Sequence, residues 1–350
     1  MTASSATPRA QGYSMPAEWE PHEATWISWP RREGQSFPDS YERVLPTLVS
    51  MASAIAESEI LRINISGREQ EREVRALLAP SAPMERVEFH DIPTNEPWCR
   101  DHGPIFVRRE ASPRIAVNDF GYNAWGGKYP PFEADDVVPT TIARRFGLPL
   151  FEPGFILEGG SVDPNGAGTL LTTESCLLNP NRNPSMTRGQ IEGGLRDYLG
   201  VEQILWLGDG IEGDDTDGHV DDITRFVSQD TVVTVVEHDS ADPNHAPLRA
   251  NLELLRSMTL ADGTPLKVVE MPMPPRIDRE GLRLPASHAN FYITNTSVLL
   301  PAFGGNSDDV AVSILTDLFQ GRSILPIDCR ELIWGLGAFH CLTQQQPAVR

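Results

Sequence analysis

The sequence predicts an α/β fold, a five-bladed α/β propeller of pseudo-repeated ββαβ units. Three observations carry that expectation. A helical stretch, a short apolar strand and a Pro or Gly break recur in that order five times along the chain. Paired strand signals fill the intervals between these modules. The period of about 55–65 residues marks units that each cover a neighbour's core, and neither chain end resembles the polar cap an open array needs, so ring closure is favoured. A doubly wound α/β sheet is the alternative.

Taken in order, residues 68–78 have helical spacing and lead into an alternating run at 86–92 that Pro93 closes. A helix at 136–146 precedes a strand at 148–153, and a helix at 187–199 precedes a strand at 201–207 that Gly208-Asp209-Gly210 stops. A helix at 244–258 precedes a strand at 266–271, stopped by Pro272, and a helix at 308–319 precedes a strand at 323–328. The paired strands lie at 105–108 with 114–118, 224–227 with 231–236, and 289–295 with 298–303. Asn165-Gly166 is a hairpin signal between 161–163 and 169–172. Residues 1–14 lack the apolar run of a secretory signal and are expected to be disordered, leaving 15–350 as a single domain.

Composition narrows the chemistry. With 49 acidic against 29 basic residues, the formal charge of −20 repels nucleic acid and anionic membranes and concentrates small cations. No stretch approaches the roughly twenty apolar residues of a membrane span. Cys99, Cys176, Cys329 and Cys341 form no CxxC pair, so free thiols and a cytoplasmic location are expected.

Four clusters hold the unusual residues. In Trp98-Cys99-Arg100-Asp101-His102-Gly103-Pro104 a carboxylate beside an aromatic face can cradle a planar cation, unless Asp101 only pairs with Arg100 or caps a turn. Glu158-Gly159-Gly160 ends an apolar run in an acid, and its glycines serve either a close backbone approach or a positive-φ turn. Residues 214–222 gather carboxylates around His219, and strand alternation would set His219 and Asp221 on one face. A metal held there stays an alternative, although neither the twelve-residue calcium pattern nor HExxH is met. In Gly335-Leu336-Gly337-Ala338-Phe339-His340-Cys341 the glycines complete no GxGxxG, which argues against a nucleotide. Cys341 is then either a small buried hydrophobe or a nucleophile with His219 as its base. Neither a metal nor another cofactor is expected.

Together these clusters resemble the agmatine deiminase family, which takes in bacterial peptidyl-arginine deiminases and lies within the guanidino-group-modifying (pentein) superfamily. The resemblance runs from Met15-Pro16-Ala17-Glu18-Trp19-Glu20-Pro21-His22 to Gln344-Gln345-Gln346-Pro347. It includes the Trp98 cluster, Asn123-Ala124-Trp125-Gly126-Gly127, Glu158-Gly159-Gly160, Gly218-His219-Val220-Asp221 and His340-Cys341. It implies a five-bladed propeller, one catalytic domain, and hydrolysis of a small cationic substrate, agmatine, to N-carbamoylputrescine and ammonia through a covalent Cys adduct. Cys341 is the implied nucleophile and His219 the implied general acid and base. Asp101 and Asp221 are implied to hold the guanidinium nitrogens, and Glu158 to orient and charge-pair His219. Trp98, Trp125, Asn290 and Asp215 are expected to bind substrate. Relatives carry a glycine-rich stretch before the His-Cys pair that Leu336 and Ala338 interrupt here. Peptidyl or free arginine, with Arg100 as a carboxylate partner, is a second substrate reading. A guanidine- or polyamine-binding protein without catalysis is a third, and a homo-oligomer is left open.

Overall fold

The computed structural model describes residues 6–349. Among them the strands form five mixed sheets and one two-stranded hairpin. Four sheets repeat one path: an antiparallel pair, a helix, and a strand that returns parallel. Ile105–Arg108 and Ile115–Asn118 are followed by the helix Val138–Phe146 and Leu150–Phe151. Asp163–Pro164 and Thr169–Thr173 are followed by Arg188–Leu199 and Gln203–Leu207. Thr224–Ser228 and Thr231–Val236 lead through His245–Ser257 to Lys267–Pro272, and Tyr292–Ile293 and Ser297–Ala302 lead through Asn306–Leu318 to Ser323–Asp328. A parallel return needs a crossover, and the helix supplies it while covering one face of its sheet.

The fifth sheet runs in the order Thr343–Pro347, His22–Ser28, Ile60–Ile65, Val87–Asp91. Its antiparallel pair joins the two ends of the chain, with Ile27 opposite Thr343 and His22 opposite Pro347. The helix Tyr41–Ala56 makes the crossover to Ile60–Ile65, and Gly67–Leu78 then leads to Val87–Asp91 as an added parallel strand. The module expected at 68–78 and 86–92 is therefore an extra of this sheet, and the counterpart of the other four is Tyr41–Ala56 with Ile60–Ile65, which the sequence reading passed over. Pro46 lies inside that helix, and an interior proline costs roughly 3 kcal/mol. Val44, Leu45, Leu48, Met51 and Ile55 recur at helical spacing and are buried. At about 1.5–3 kcal/mol for each such side chain, their burial outweighs the proline.

The expectation that residues 1–14 are disordered needs correction. Residues 1–5 lie outside the described residues, but 6–14 are held in place. Tyr13 is buried and donates its hydroxyl to the Pro113 carbonyl at 2.6 Å. The Ser14 and Arg108 backbones exchange two hydrogen bonds of 2.9 Å. No described helix is long and apolar enough to cross a membrane.

Candidate active site

Most side chains singled out in the sequence come from turns that precede the first strand of a sheet, Trp125 being the exception in the short helix Ala124–Gly127 after Ile115–Asn118. Asp101 lies in the short helix Cys99–His102, before Ile105–Arg108. Glu158 precedes the turn Gly159–Ser161 and the strand Asp163–Pro164. His219 opens the turn Val220–Asp222 that contains Asp221, before Thr224–Ser228. Asn290 precedes Tyr292–Ile293, and Cys341 lies in the short helix Phe339–Leu342 before Thr343–Pro347. The alternation argument for His219 and Asp221 fails, because neither is on a strand. The turn nonetheless aims both at one place.

That place is marked by Gly160. A methyl group on its Cα would lie 2.6 Å from His219 Nδ1, 2.9 Å from Asp101 Oδ1 and 3.0 Å from Asp221 Oδ2. Three functional atoms thus converge where only a glycine fits. Gly159 is equally confined, since a methyl there would meet the Arg100 carbonyl oxygen at 2.2 Å. Neither glycine has a positive φ, so the close-approach reading holds and the positive-φ reading does not.

A cavity of ≈ 200 Å³ opens from this cluster, with Cys341, Asp101, Trp98 and Trp125 in its wall. Leu282, Leu284, Trp334 and Leu336 form an apolar side, and Asp215 and Glu96 also face the cavity. Among the described residues, no Lys or Arg lines it. Arg100 is buried elsewhere and donates to the His340 carbonyl at 3.3 Å and Gln345 Oε1 at 2.7 Å. His219, Glu158, Asp221 and Asn290 do not line the cavity but stand behind its wall, all buried. Gly335 and Gly337 leave room for Trp98, whose ring carbons would lie 2.9 Å and 2.6 Å from methyl groups on them.

Hydrogen bonds fix most of these groups and leave selected atoms open. Asp101 Oδ2 accepts from Trp125 Nε1 at 2.9 Å and Oδ1 from the Gly160 amide at 3.0 Å. His219 Nδ1 is 3.7 Å from Asp101 Oδ1, and Nε2 is 4.0 Å from Glu158 Oε2. Glu158 Oε1 accepts from Arg182 Nε at 2.7 Å. Asn290 Nδ2 donates to Asp222 Oδ1 at 2.9 Å and to Cys341 Sγ at 3.1 Å, while its Oδ1 accepts from the His340 amide at 3.1 Å. Among the described residues, both ring nitrogens of His219, Glu158 Oε2 and Asp221 Oδ1 lack a hydrogen-bond partner. Buried polar atoms of this kind await a ligand or water.

Burial dominates the electrostatics. It pushes Asp101 up to about 7, with the Glu158 charge adding to it and Trp125 and Gly160 opposing. It raises Glu158 against the pull of Arg182, and it pushes Asp215 up to about 6 against a hydrogen bond from Tyr129. Burial also holds the His219 imidazolium well below its ordinary range, and the Arg182 charge adds to that. Burial lifts the Cys341 thiol well above its usual value, and the charges of Asp221, Asp222 and Asp101 lift it further. Burial thus works against charge throughout this site. A cation entering it would favour ionised carboxylates and a thiolate together.

Two trios bring ligand-type atoms within 4.8 Å of one another, Glu158 with Cys176 and His219, and Asp221 with Asp222 and Cys341. The first already faces the Arg182 guanidinium and the second the Asn290 amide group, both donors rather than open coordination faces. The sequence reading gave no role to Arg182, Cys176, Glu18 or His340. Arg182 sits between the Asn-Pro steps of Asn179-Pro180-Asn181-Arg182-Asn183-Pro184, a turn-rich pattern that could have flagged it.

Residues 14–347 match the Porphyromonas-type peptidyl-arginine deiminase family. A Legionella pneumophila protein provisionally named an agmatine deiminase is 35% identical over 341 residues, covering 97% of this chain and 96% of its own. The solved agmatine deiminase of Enterococcus faecalis superposes with a TM-score of 0.91 at 33% identity over 98% of each chain. A cysteine-to-serine variant of the C. jejuni agmatine deiminase with substrate bound gives 0.87 at 29% identity, covering 95% of this chain and 96% of that one. An amidinotransferase from Microseira wollei shares the α/β fold alone, with a TM-score of 0.52 at 12% identity over 96% of this chain and 98% of that one.

Proposed function

This chain belongs to the Porphyromonas-type peptidyl-arginine deiminase family, and from that membership we propose that it is an agmatine deiminase, hydrolysing agmatine to N-carbamoylputrescine and ammonia. The observation that carries the choice of substrate is the cavity wall, which holds Glu96, Asp101 and Asp215 and, among the described residues, no Lys or Arg. Agmatine is a dication without a carboxylate. Free arginine would bring a carboxylate into a wall of acids in which no described lining residue is a cation, the nearby Lys128 being taken up by Asp215 and Asp217.

The roles follow from where charge must go. Asp101 and Asp221 take the guanidinium nitrogens, and the bound cation offsets the acids that hold Cys341 neutral. The thiol proton passes to His219, and Cys341 Sγ bonds to the guanidinium carbon. His219 returns that proton to the departing nitrogen as the C–N bond breaks and ammonia leaves, giving an amidino-thioether. Water then attacks the same carbon, His219 takes its proton, and the C–S bond breaks to release N-carbamoylputrescine, the proton on His219 returning to Cys341 Sγ. Glu158, whose Oε2 is 4.0 Å from His219 Nε2, steadies the imidazolium formed at each transfer. Trp98 and Trp125 supply flat faces to the cation, Asp215 receives its distal end, and Asn290 holds the sulfur.

The same reading extends to the whole chain. The five sheets are the blades of one closed propeller, and residues 15–350 are one catalytic domain. Support comes from the pairing of Thr343–Pro347 with His22–Ser28 and from five equivalently placed turns, two with side chains in the cavity wall and three behind it. Four free cysteines fit a cytoplasmic location.

Ammonia release from agmatine tests the proposal. Cys341→Ala should lower it by at least about 10⁴-fold, chelators should leave the wild type unaffected, and iodoacetamide should inactivate it. Faster citrulline formation from arginine or arginine peptides would overturn agmatine as substrate, and absence of any turnover would leave only a binding protein.

A further inference from the structure

Behind Asp221 lies a buried file of three ionisable side chains. His340 Nδ1 is 2.6 Å from Asp221 Oδ2, and His340 Nε2 is 2.7 Å from Glu18 Oε2. Glu18 comes from the segment before the strand His22–Ser28, His340 from the helix Phe339–Leu342, and Asp221 from the turn Val220–Asp222. All three are buried. The mechanism above gives a task to Asp221 alone.

The position of one proton can be deduced. Glu18 Oε1 accepts from the Ile293 amide at 2.8 Å, and Oε2 also faces Arg225 Nη2 at 2.8 Å and Arg100 Nη2 at 3.5 Å. Burial alone would raise the Glu18 carboxyl, yet Arg225, His340 and Arg100 hold it well below the usual carboxylate range. Glu18 is therefore an ionised acceptor, and His340 Nε2 carries the hydrogen in that link. A neutral imidazole has only one N–H. The short contact between Nδ1 and Asp221 then contains a single further proton, placed either on the carboxyl or on the ring. Burial and the neighbouring Arg100 and Arg225 disfavour the imidazolium, while burial and Asp101 favour protonated Asp221. Both influences favour the proton on Asp221 before a substrate cation arrives.

We propose that Glu18, His340 and Asp221 form a proton-holding relay in which the arriving guanidinium moves the proton from Asp221 Oδ2 to His340 Nδ1. Asp221 then meets the substrate as a carboxylate through its unpartnered Oδ1, with no proton lost to solvent. The imidazolium is held by the Glu18 carboxylate through Nε2. No bond other than O–H and N–H changes, and the count of protons in the file is constant. His340 and Glu18 are positioning residues in this scheme, and the relay rests on the guanidine-substrate reading above. A second consequence is that the ring next to Cys341 in the chain becomes positive as the thiolate must form, with Glu18 favouring that charge and Arg100 and Arg225 opposing it.

Calorimetric titration of Cys341→Ala with agmatine, in buffers of unequal ionisation enthalpy, counts the protons exchanged on binding without a thiol or turnover. Cys341→Ala/His340→Gln should release about one proton more than Cys341→Ala, because Gln can bridge both carboxyls but cannot store the proton. Equal counts would overturn the relay. In Cys341→Ala with the file intact, the His340 ring nitrogens should pass from neutral to imidazolium NMR shifts on saturation with agmatine, and a ring that stays neutral would overturn it without any change to the file. Glu18→Gln in the otherwise native enzyme should lower kcat/KM by roughly 10- to 100-fold, mainly through KM, with activity recovering as pH rises. A loss of thermal stability with an unmoved pH profile would mark a merely structural role. If agmatine does not bind at all, the function reading falls and the relay with it, whereas binding without the proton shift sinks the relay alone.

Discussion

At the scale of single residues, the site is defined as much by an absent side chain as by those present. The Gly160 Cα stands where His219 Nδ1, Asp101 Oδ1 and Asp221 Oδ2 come together. Gly160→Ala would push a methyl group into contacts of 2.6–3.0 Å with these three atoms, and shifts of a few tenths of an ångström to 1 Å among reacting groups cost about 10²-fold in rate. The expected outcome is a fall in kcat/KM of that order with thermal unfolding little changed, since side chains can yield. Gly159→Ala meets the Arg100 carbonyl at 2.2 Å, which is backbone and cannot yield. That variant should instead lose about 1–3 kcal/mol of stability, measured by denaturant unfolding. A reversed pattern, with Gly159→Ala inactive but stable, would contradict the assignment of Gly160 as the point of convergence.

At the scale of elements, the loop ahead of Cys341 carries a visible compromise. Leu336 has φ 71°, a left-handed conformation that costs a non-glycine residue about 1–2 kcal/mol, and its side chain faces the cavity beside Trp334. Leu336→Gly should remove that strain while opening the apolar wall. Unfolding should show a gain of up to about 1 kcal/mol once the entropy of the extra glycine is set against the relief, and KM for agmatine should rise. These elements also explain what was legible beforehand. The helix–strand pairs at 136–146, 187–199, 244–258 and 308–319 announced themselves because each ends in a break and each helix keeps one apolar face. The pair Tyr41–Ala56 and Ile60–Ile65 did not, because Pro46 disguised a helix whose stability comes from packing. Thr343–Pro347 has the polar sequence Thr-Gln-Gln-Gln-Pro, which carries no strand pattern, yet it is fully buried because the Gln side chains find partners. Cys341, His219, Asp101, Glu158 and Asp221 were recognisable as chemistry. Glu18, Arg182 and His340 were not, because their importance lies in contacts across 24 to 322 residues of chain.

At the scale of the whole molecule, an acidic chain of formal charge −20 has folded with several of its carboxyls out of water. Burial is the first cause in each case, pushing Asp101 up to about 7, Asp135 up to about 8 and Asp163 up to about 6. The unfolded chain releases these protons near pH 4. Between about pH 4 and pH 8 these three carboxyls therefore bind more protons in the folded than in the unfolded state, and their contribution to stability falls as pH rises. The buried imidazoles of His102, His219 and His340, held below their ordinary range, contribute in the opposite sense up to about pH 7. A shift of the size of that at Asp101 corresponds to at most about 4 kcal/mol, fully present below pH 4 and lost as pH rises through 7. Measured against Asp101→Asn, the ligand-free protein should accordingly lose several degrees of melting temperature between pH 5.5 and pH 8. Agmatine supplies the missing positive charge beside Asp101, so in Cys341→Ala its stabilising effect should be larger at pH 8 than at pH 5.5. Asp101→Asn, which removes the titrating group, should flatten the pH dependence and abolish most of the ligand's extra effect. Melting curves with and without agmatine at the two pH values check each step. A melting difference between the ligand-free protein and Asp101→Asn that stays constant from pH 5.5 to 8 would mean that Asp101 is already ionised and paired before substrate arrives, and the substrate would then have no charge to reorganise there.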